Sequence, residues 1–237
     1  LASLALLAVD ASRASDNERS KPSSAPGSGG ARENQRAADG QPGDDLVEQA
    51  HTLLTGLRSP VLTSFLTEWP SSSQRRSVEP SSIPALRWLP QVHGAPAFSA
   101  PFVAAVAAAA ATLAWRRSYT STDIGSAFLD NYGWTELVGL KGPAASDHLA
   151  CGLLLLGPNL TYPAHRHEAE EIYVPLAGAA QWKHGDDGWR DRPPGEVIHH
   201  ARNQPHAMRT GESPMLALYL WRSNNLAQES RLDPRAT

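Results

Sequence analysis

From Trp134 to Trp221 the chain is a succession of short apolar runs broken by glycine and proline, and no other feature constrains its fold as tightly. The runs are Glu136–Leu140, Ala150–Leu156, Glu171–Leu176, Ala179–Lys183, Glu196–His200 and Met215–Trp221. Each has the length of a strand, and the turn residues between them recur too often to leave room for helices. The region therefore reads as a small all-β sandwich or barrel.

Upstream the texture differs. From Asp10 to about Asp44 the sequence is Ser, Gly, Pro, Ala and charged residues, with almost nothing large and apolar to bury, so residues 1–44 are expected to be disordered and of low complexity. Asp44 and Asp45 then offer an N-cap before Leu46, Val47, Ala50, Leu53, Leu54 and Leu57, a spacing that keeps the apolar residues on one face of a helix near 45–57. Further helical signals lie at Val61–Trp69 and at Pro101–Arg117, the latter with Pro101 near its start and Arg116 and Arg117 at its end. Asp123–Tyr132 suggests one more short helix. These features predict a helical region over 45–132 packing on a β domain over 133–225, with a polar tail over 226–237.

The chain has 237 residues, 41% of them hydrophobic, which suits one domain with appendages better than two full domains. Its 21 basic and 24 acidic residues are interspersed, with no basic stripe to mark a nucleic-acid partner. Cys151 is the only cysteine, so this chain builds no internal disulfide, thiolate zinc knuckle or iron–sulfur cluster, and Cys151 reads as a small buried hydrophobe. The apolar run Phe102–Ala114 falls well short of the ~20 residues that span a bilayer, so no membrane partner is expected. Leu1–Val9 is apolar but has no basic flank and no initiator Met. It is compatible with a remnant signal segment, while the reducing-compartment reading of Cys151 favours the cytoplasm. The sequence does not fix the oligomeric state; a homodimer is compatible with it.

The chemistry is concentrated in Tyr162-Pro-Ala-His165-Arg-His167-Glu-Ala-Glu-Glu171-Ile-Tyr173. Residues two apart on a strand share a face, so His165 and His167 project together, and Glu171 and Tyr173 do the same on the next strand. Imidazoles and a carboxylate suit a divalent first-row metal: zinc, iron, manganese, cobalt or nickel. Other histidines lack this support. His199 and His200 are adjacent, so only one can face inward; His184 lies among turn residues; His51, His93 and His148 have no partners near in sequence.

The spacing His-x-His-x3-Glu-x6-Gly, ending at Gly178, resembles the first motif of the cupin superfamily, and Pro193-x-Gly195 followed by Pro205-His206 resembles the second. The implied fold is mainly β, a single cupin (small β-barrel or jelly roll) with a helical N-terminal region. The implied ligands of one divalent metal ion are His165, His167, Glu171 and His206. Gly157 departs from the pattern, standing too far upstream for the usual entry turn.

Longer strings narrow the resemblance to the bacterial cupin-type lyases that cleave dimethylsulfoniopropionate (DMSP). These strings are Phe128-Leu-Asp-Asn-Tyr-Gly-Trp134, the Tyr162–Tyr173 segment, Gln204-Pro-His-Ala-Met-Arg-Thr210 and Leu216-Ala-Leu-Tyr-Leu-Trp221. The resemblance implies elimination of dimethyl sulfide to leave acrylate, with Tyr173 or Tyr162 as base. The chemistry is coherent: removing a proton beside a carboxylate needs a cation at the developing charge, and a phenol of ordinary pKa ~10 needs its pKa lowered. A sulfonium attracts aromatic faces at about 0.5–2 kcal/mol per contact, and Trp221 and Tyr162 are the expected substrate-binding aromatics, ahead of Trp182 and Tyr219. The same ligands would serve an Fe(II) dioxygenase or a non-catalytic small-molecule-binding cupin. Tyr173 argues against the former, since an oxygenase has no need of a phenol beside the acid.

Overall fold

The computed structural model describes residues 42–71 and 74–233. The segment expected to be disordered lies outside them, except for its end, which opens helix α1 (Pro42–Gly56). Leu46, Val47, Ala50 and Leu54 form the buried face of α1. Helix α2 (Pro60–Leu66) starts with proline in its first turn and buries Leu62 and Phe65, and a 3-10 helix follows at Pro84–Gln91.

Helix α3 (Ala100–Ala109) stops well before Arg117. It tightens into a 3-10 turn at Ala110–Thr112, and Trp115–Arg116 become strand β1, paired with Thr135 and Trp134. Burial of Trp115, whose Nε1 donates to the Ala110 carbonyl at 3.0 Å, together with the strand hydrogen bonds, outweighs the helix propensity of the alanine run. The single helix expected over 123–132 is instead two short ones, α4 (Ser121–Ile124) and α5 (Ser126–Leu129), divided by Gly125 at φ +85°.

The β region forms two sheets. The first contains β1, β2 (Tyr132–Gly139), β3 (Ala144–Ala145), β4 (Leu149–Leu156), β6 (Glu170–Ala177), β9 (Ile198–His200) and β11 (Met215–Arg222), in the order β1-β2-β4-β11-β6-β9 with β3 beside β2. The second is ordered β12-β5-β10-β7-β8, from β5 (Thr161–Arg166), β7 (Ala180–His184), β8 (Arg190–Arg192), β10 (His206–Thr210) and β12 (Arg231–Leu232). From β4 onward most successive strands switch sheet, which is how a jelly roll wraps. Among the described residues the two sheets stay separate rather than closing into one hydrogen-bonded barrel. Strand β12 lies where a polar tail was expected, and pairs with β5 at Arg166 and His165.

The first sheet is covered on both faces, which explains why Leu149-Ala-Cys-Gly-Leu-Leu-Leu-Leu156 is apolar without alternation: all eight residues are buried. Leu149, Cys151, Leu153 and Leu155 pack against the helices. Ala150, Leu154 and Leu156 face inward, in the same cluster as Trp182 and Met208 of the second sheet. Each such leucine contributes about 1.5–3 kcal/mol by leaving water.

Register sets the inward face. Across β2, β4, β11 and β6 one row runs Glu136, Gly152, Tyr219, Tyr173; across β4, β11, β6 and β9 the next runs Ala150, Trp221, Glu171, His200. Gly152 is required at its crossing, because a Cβ there would lie 2.1 Å from the Thr135 carbonyl oxygen and 2.7 Å from the Tyr219 ring.

Gly178, at the turn from β6 to β7, combines φ +86° with a backbone approach that would put a Cβ 2.2 Å from the Pro214 carbonyl oxygen. Gly178→Ala is therefore expected to lower stability by about 2–4 kcal/mol through strain and overpacking. Gly188→Ala, with nothing within 4 Å of the added methyl, should be near neutral. Urea denaturation midpoints of the two variants check this contrast.

Candidate metal centre

Spacing pairs His165 with His167 and sets Glu171 on the next strand, the resemblance adds His206, and all four are at most 4% exposed. His167, Glu171 and His206 converge, with one ligand atom from each lying within 4.8 Å of the others. Both imidazoles approach one oxygen: His167 Nε2 stands 2.9 Å and His206 Nε2 3.0 Å from Glu171 Oε2. His165 sits at the edge of this trio, its ring centroid 4.1 Å from that of His206 and 6.4 Å from that of His167.

The far side of each ring is fixed by backbone. His165 Nδ1 meets the Pro163 carbonyl at 2.9 Å, His167 Nδ1 the Ala169 carbonyl at 3.0 Å, and His206 Nδ1 the Gln204 carbonyl at 2.9 Å. A carbonyl only accepts, so each Nδ1 carries the hydrogen, and in the neutral ring Nε2 presents a lone pair. A lone pair aimed at a carboxylate oxygen is repelled unless a proton or a cation lies between them; His167 Nε2 hydrogen-bonds to Glu171 Oε2 at 2.9 Å and so meets this with a proton in metal-free protein. His206 Nε2 is close to Glu171 yet not aligned for a hydrogen bond, and has no hydrogen-bond partner among the described residues. This donor chemistry fits a divalent cation.

Electrostatics follow the same logic. Burial opposes charge on Glu171, but His167 and then His206 hold its carboxyl well below the ordinary range. Burial likewise opposes protonation of His167, and the Glu171 charge overcomes it, so this imidazole is raised. His165, with burial and the neighbouring His206 both against it, is pushed well below its usual value.

A cavity of about 280 Å³ opens beside the trio, and Tyr162, Tyr173 and Trp221 line it together with His165 and Glu171. The Trp221 indole N–H donates to Glu171 Oε1 at 2.5 Å, and its ring lies 4.2 Å from that of His167. Trp221 therefore holds the acid as well as forming the wall. Tyr162 stacks on His165 at 4.0 Å, and its hydroxyl is 2.8 Å from that of Tyr119, which donates onward to Ser230. Tyr173 is buried, and burial followed by the Glu171 charge raises its phenol far above its ordinary value.

Several neighbours escaped sequence reasoning. Of the two adjacent histidines, His200 is the inward one: it is fully buried, stacks on His206 at 4.0 Å, and neither ring nitrogen has a hydrogen-bond partner among the described residues. His199, opposite Ile172 on the other face of the sheet, meets Glu170 at 2.8 Å. His184, expected in a hairpin turn, ends β7 with its ring 4.4 Å from His200. Tyr119, Glu136 and the Leu226–Ser230 segment also line or adjoin the cavity. Only their register or tertiary position shows it.

Fold and site together define a cupin-type protein: a jelly-roll sandwich with an inward cluster of histidines and a glutamate. A family model for dimethylsulfoniopropionate lyases matches residues 58–217. The chain is 35% identical over 171 residues to dimethylsulfoniopropionate lyase DddQ of Ruegeria pomeroyi, spanning 70% of this chain and 83% of that enzyme. The crystal structure of DMSP lyase DddQ from Ruegeria pomeroyi superposes with TM-score 0.73 and 32% identity, covering 83% of this chain and 98% of that one. A chain from the crystal structures of the DMSP lyases RdDddP and RnDddQII gives TM-score 0.74 and 32% identity over 81% and 97% of the two chains. The chain belongs to the dimethylsulfoniopropionate lyase family. Among the described residues no helix is long and apolar enough to cross a membrane.

A proton on His167 competes with a metal for the same nitrogen, and the pKa of this imidazole lies above the ordinary 6.5. Zinc binding to metal-free protein, followed by calorimetry, should therefore tighten as pH rises through and beyond 6.5. His206→Ala and Glu171→Gln should each weaken binding at least ~10-fold.

Proposed function

We propose that the chain is a metal-dependent carbon–sulfur lyase that cleaves DMSP to dimethyl sulfide and acrylate by tyrosine-assisted β-elimination. Family membership supports the substrate. The observation that carries the mechanism is the convergence of backbone-fixed imidazoles on Glu171, with Tyr173 buried beside it. The residues that would hold the metal are His165, His167, Glu171 and His206, and the donor set accepts zinc, iron, manganese, cobalt or nickel. When bound, a divalent ion supplies Lewis acidity for the substrate carboxylate and the charge that develops there.

Tyr173 takes the proton from the carbon next to the carboxylate. The electron pair of that C–H bond becomes the new C=C bond, the C–S bond breaks, and its pair leaves with dimethyl sulfide. The choice of Tyr173 over Tyr162 rests on what raises each phenol. For Tyr173 the leading cause after burial is the Glu171 charge, which a cation at Glu171 would offset. For Tyr162 the causes after burial are led by the neighbouring phenols Tyr132 and Tyr119, ahead of Tyr173, and a cation at Glu171 leaves those two in place. Tyr162, stacked on His165, and Trp221, tied to Glu171, form the walls of the reacting end and shield it from water. The dioxygenase and non-catalytic readings explain neither the family match nor the phenol beside the acid.

Gas chromatography of dimethyl sulfide released from DMSP tests this. Metal-loaded wild type should produce it, chelator treatment should stop it, and Tyr173→Phe should lower kcat by at least ~100-fold, the scale of a lost general base. Tyr162→Phe should cost less. A Tyr173→Phe variant with wild-type rate would refute the assignment.

A further inference from the structure

The cavity extends away from the metal-ligand cluster along the first sheet. In the row Tyr173, Tyr219, Gly152, Glu136, the missing side chain at Gly152 leaves a gap into which the Tyr219 ring leans. Trp134, two residues before Glu136 on β2, makes an edge-on pair with Tyr219 at 6.4 Å between ring centroids. Glu136, Trp134 and Tyr219 all line the cavity.

Glu136 is a carboxylate that the elimination itself does not use. Its Oε1 accepts the backbone N–H groups of Lys141 and of Gly142, the latter at 2.9 Å, which fixes the side chain. No hydrogen bond engages Oε2 among the described residues. Burial lifts this carboxyl above its ordinary range against the pull of those N–H groups and of the Lys141 and Arg76 charges, a remaining cost that a further cation in the cavity would offset. The place already attracts positive charge: the exposed Lys141 ammonium lies 5.3 Å from the Trp134 ring centroid. The other charged side chains lining the cavity are Arg117, Glu171 and Glu229.

We propose that Glu136, with the rings of Trp134 and Tyr219, forms a cation subsite that receives the sulfonium group while the substrate carboxylate lies at the metal-ligand cluster. The assignment rests on the lyase reading for the substrate's identity. The order along the row agrees with the chemistry: Tyr173 stands at the acidic carbon, and the sulfonium, two atoms further along the substrate, lies toward Tyr219 and Glu136. Carboxylate and aromatic faces together favour a desolvated onium ion over a neutral group of the same shape. Glu136 is thus a specificity-determining residue for charge, separate from the residues that break bonds.

Two ligands of equal shape isolate that charge: 3-(trimethylammonio)propanoate and its carbon isostere 4,4-dimethylpentanoate. Calorimetric titration of zinc-loaded protein with each gives a cation-to-neutral affinity ratio. Glu136→Gln keeps the carbonyl that the Lys141 and Gly142 N–H groups need, and should lower this ratio about tenfold, leaving the neutral ligand within about twofold. Trp134→Leu should lower it about threefold. In turnover, Glu136→Gln should raise KM for DMSP with kcat little changed. An unchanged ratio in Glu136→Gln, equal weakening of both ligands, or wild type that binds neither overturns the subsite. Wild type that discriminates between the ligands but releases no dimethyl sulfide would leave the subsite standing and overturn the lyase reading instead.

Discussion

A carboxylate taken out of water costs several kcal/mol unless cations or donors meet it, and Glu171 is 1% exposed. Its two oxygens are matched from separate elements. Oε2 faces the imidazoles of His167, just past the end of β5, and His206, on β10; Oε1 takes the indole N–H of Trp221 on β11. Both sheets are therefore tied to one buried charge. The three imidazoles are in turn fixed by carbonyls two residues away in sequence, so each brings its own support.

This arrangement works because the first sheet is buried on both sides. The helices cover one face with aliphatic side chains, which leaves the other face to carry polar groups and a cavity without exposing the strands. The inward face is graded along its length. Imidazoles and a glutamate occupy one end, phenols the middle, and a backbone-held carboxylate with aromatic rings the other. Gly152 makes the gradation continuous by giving the Tyr219 ring room to lie between strands.

The last described residues belong to the site as well. The Gln228 side-chain oxygen accepts the N–H groups of Glu168 and Ala169, in the loop between His167 and Glu171, and its amide donates to Ser223 and Asn225. Asp233 pairs with Arg166, and its N–H donates to the Ala164 carbonyl at 2.7 Å. Ser230 accepts from Tyr119. A segment that composition reads as a polar tail thus braces the loop between His167 and Glu171. Its polar residues are there to satisfy backbone groups, and composition cannot distinguish that from solvation.

The candidate cluster was legible in part because a period of two pairs His165 with His167, and Glu171 with Tyr173, on two successive segments that come to lie in facing sheets, while His206 came from the resemblance that the strings around them carry. The β character and the run from Leu149 to Leu156 were legible for the same reason, since periodicity and turn residues act over a few positions. What sequence could not decide depends on pairing between distant segments. Trp115 and Arg116 leave the helical pattern because β2 offers them hydrogen bonds and a buried site for the indole. His200 rather than His199 faces inward because its strand pairs with Glu171. Glu136, Tyr219 and Gly152 become neighbours only through the register of three strands. Local spacing thus singled out the candidate groups. Tertiary structure alone decided what surrounds them, because strand register and the burial of one face are properties of the assembled sheets and of no single segment.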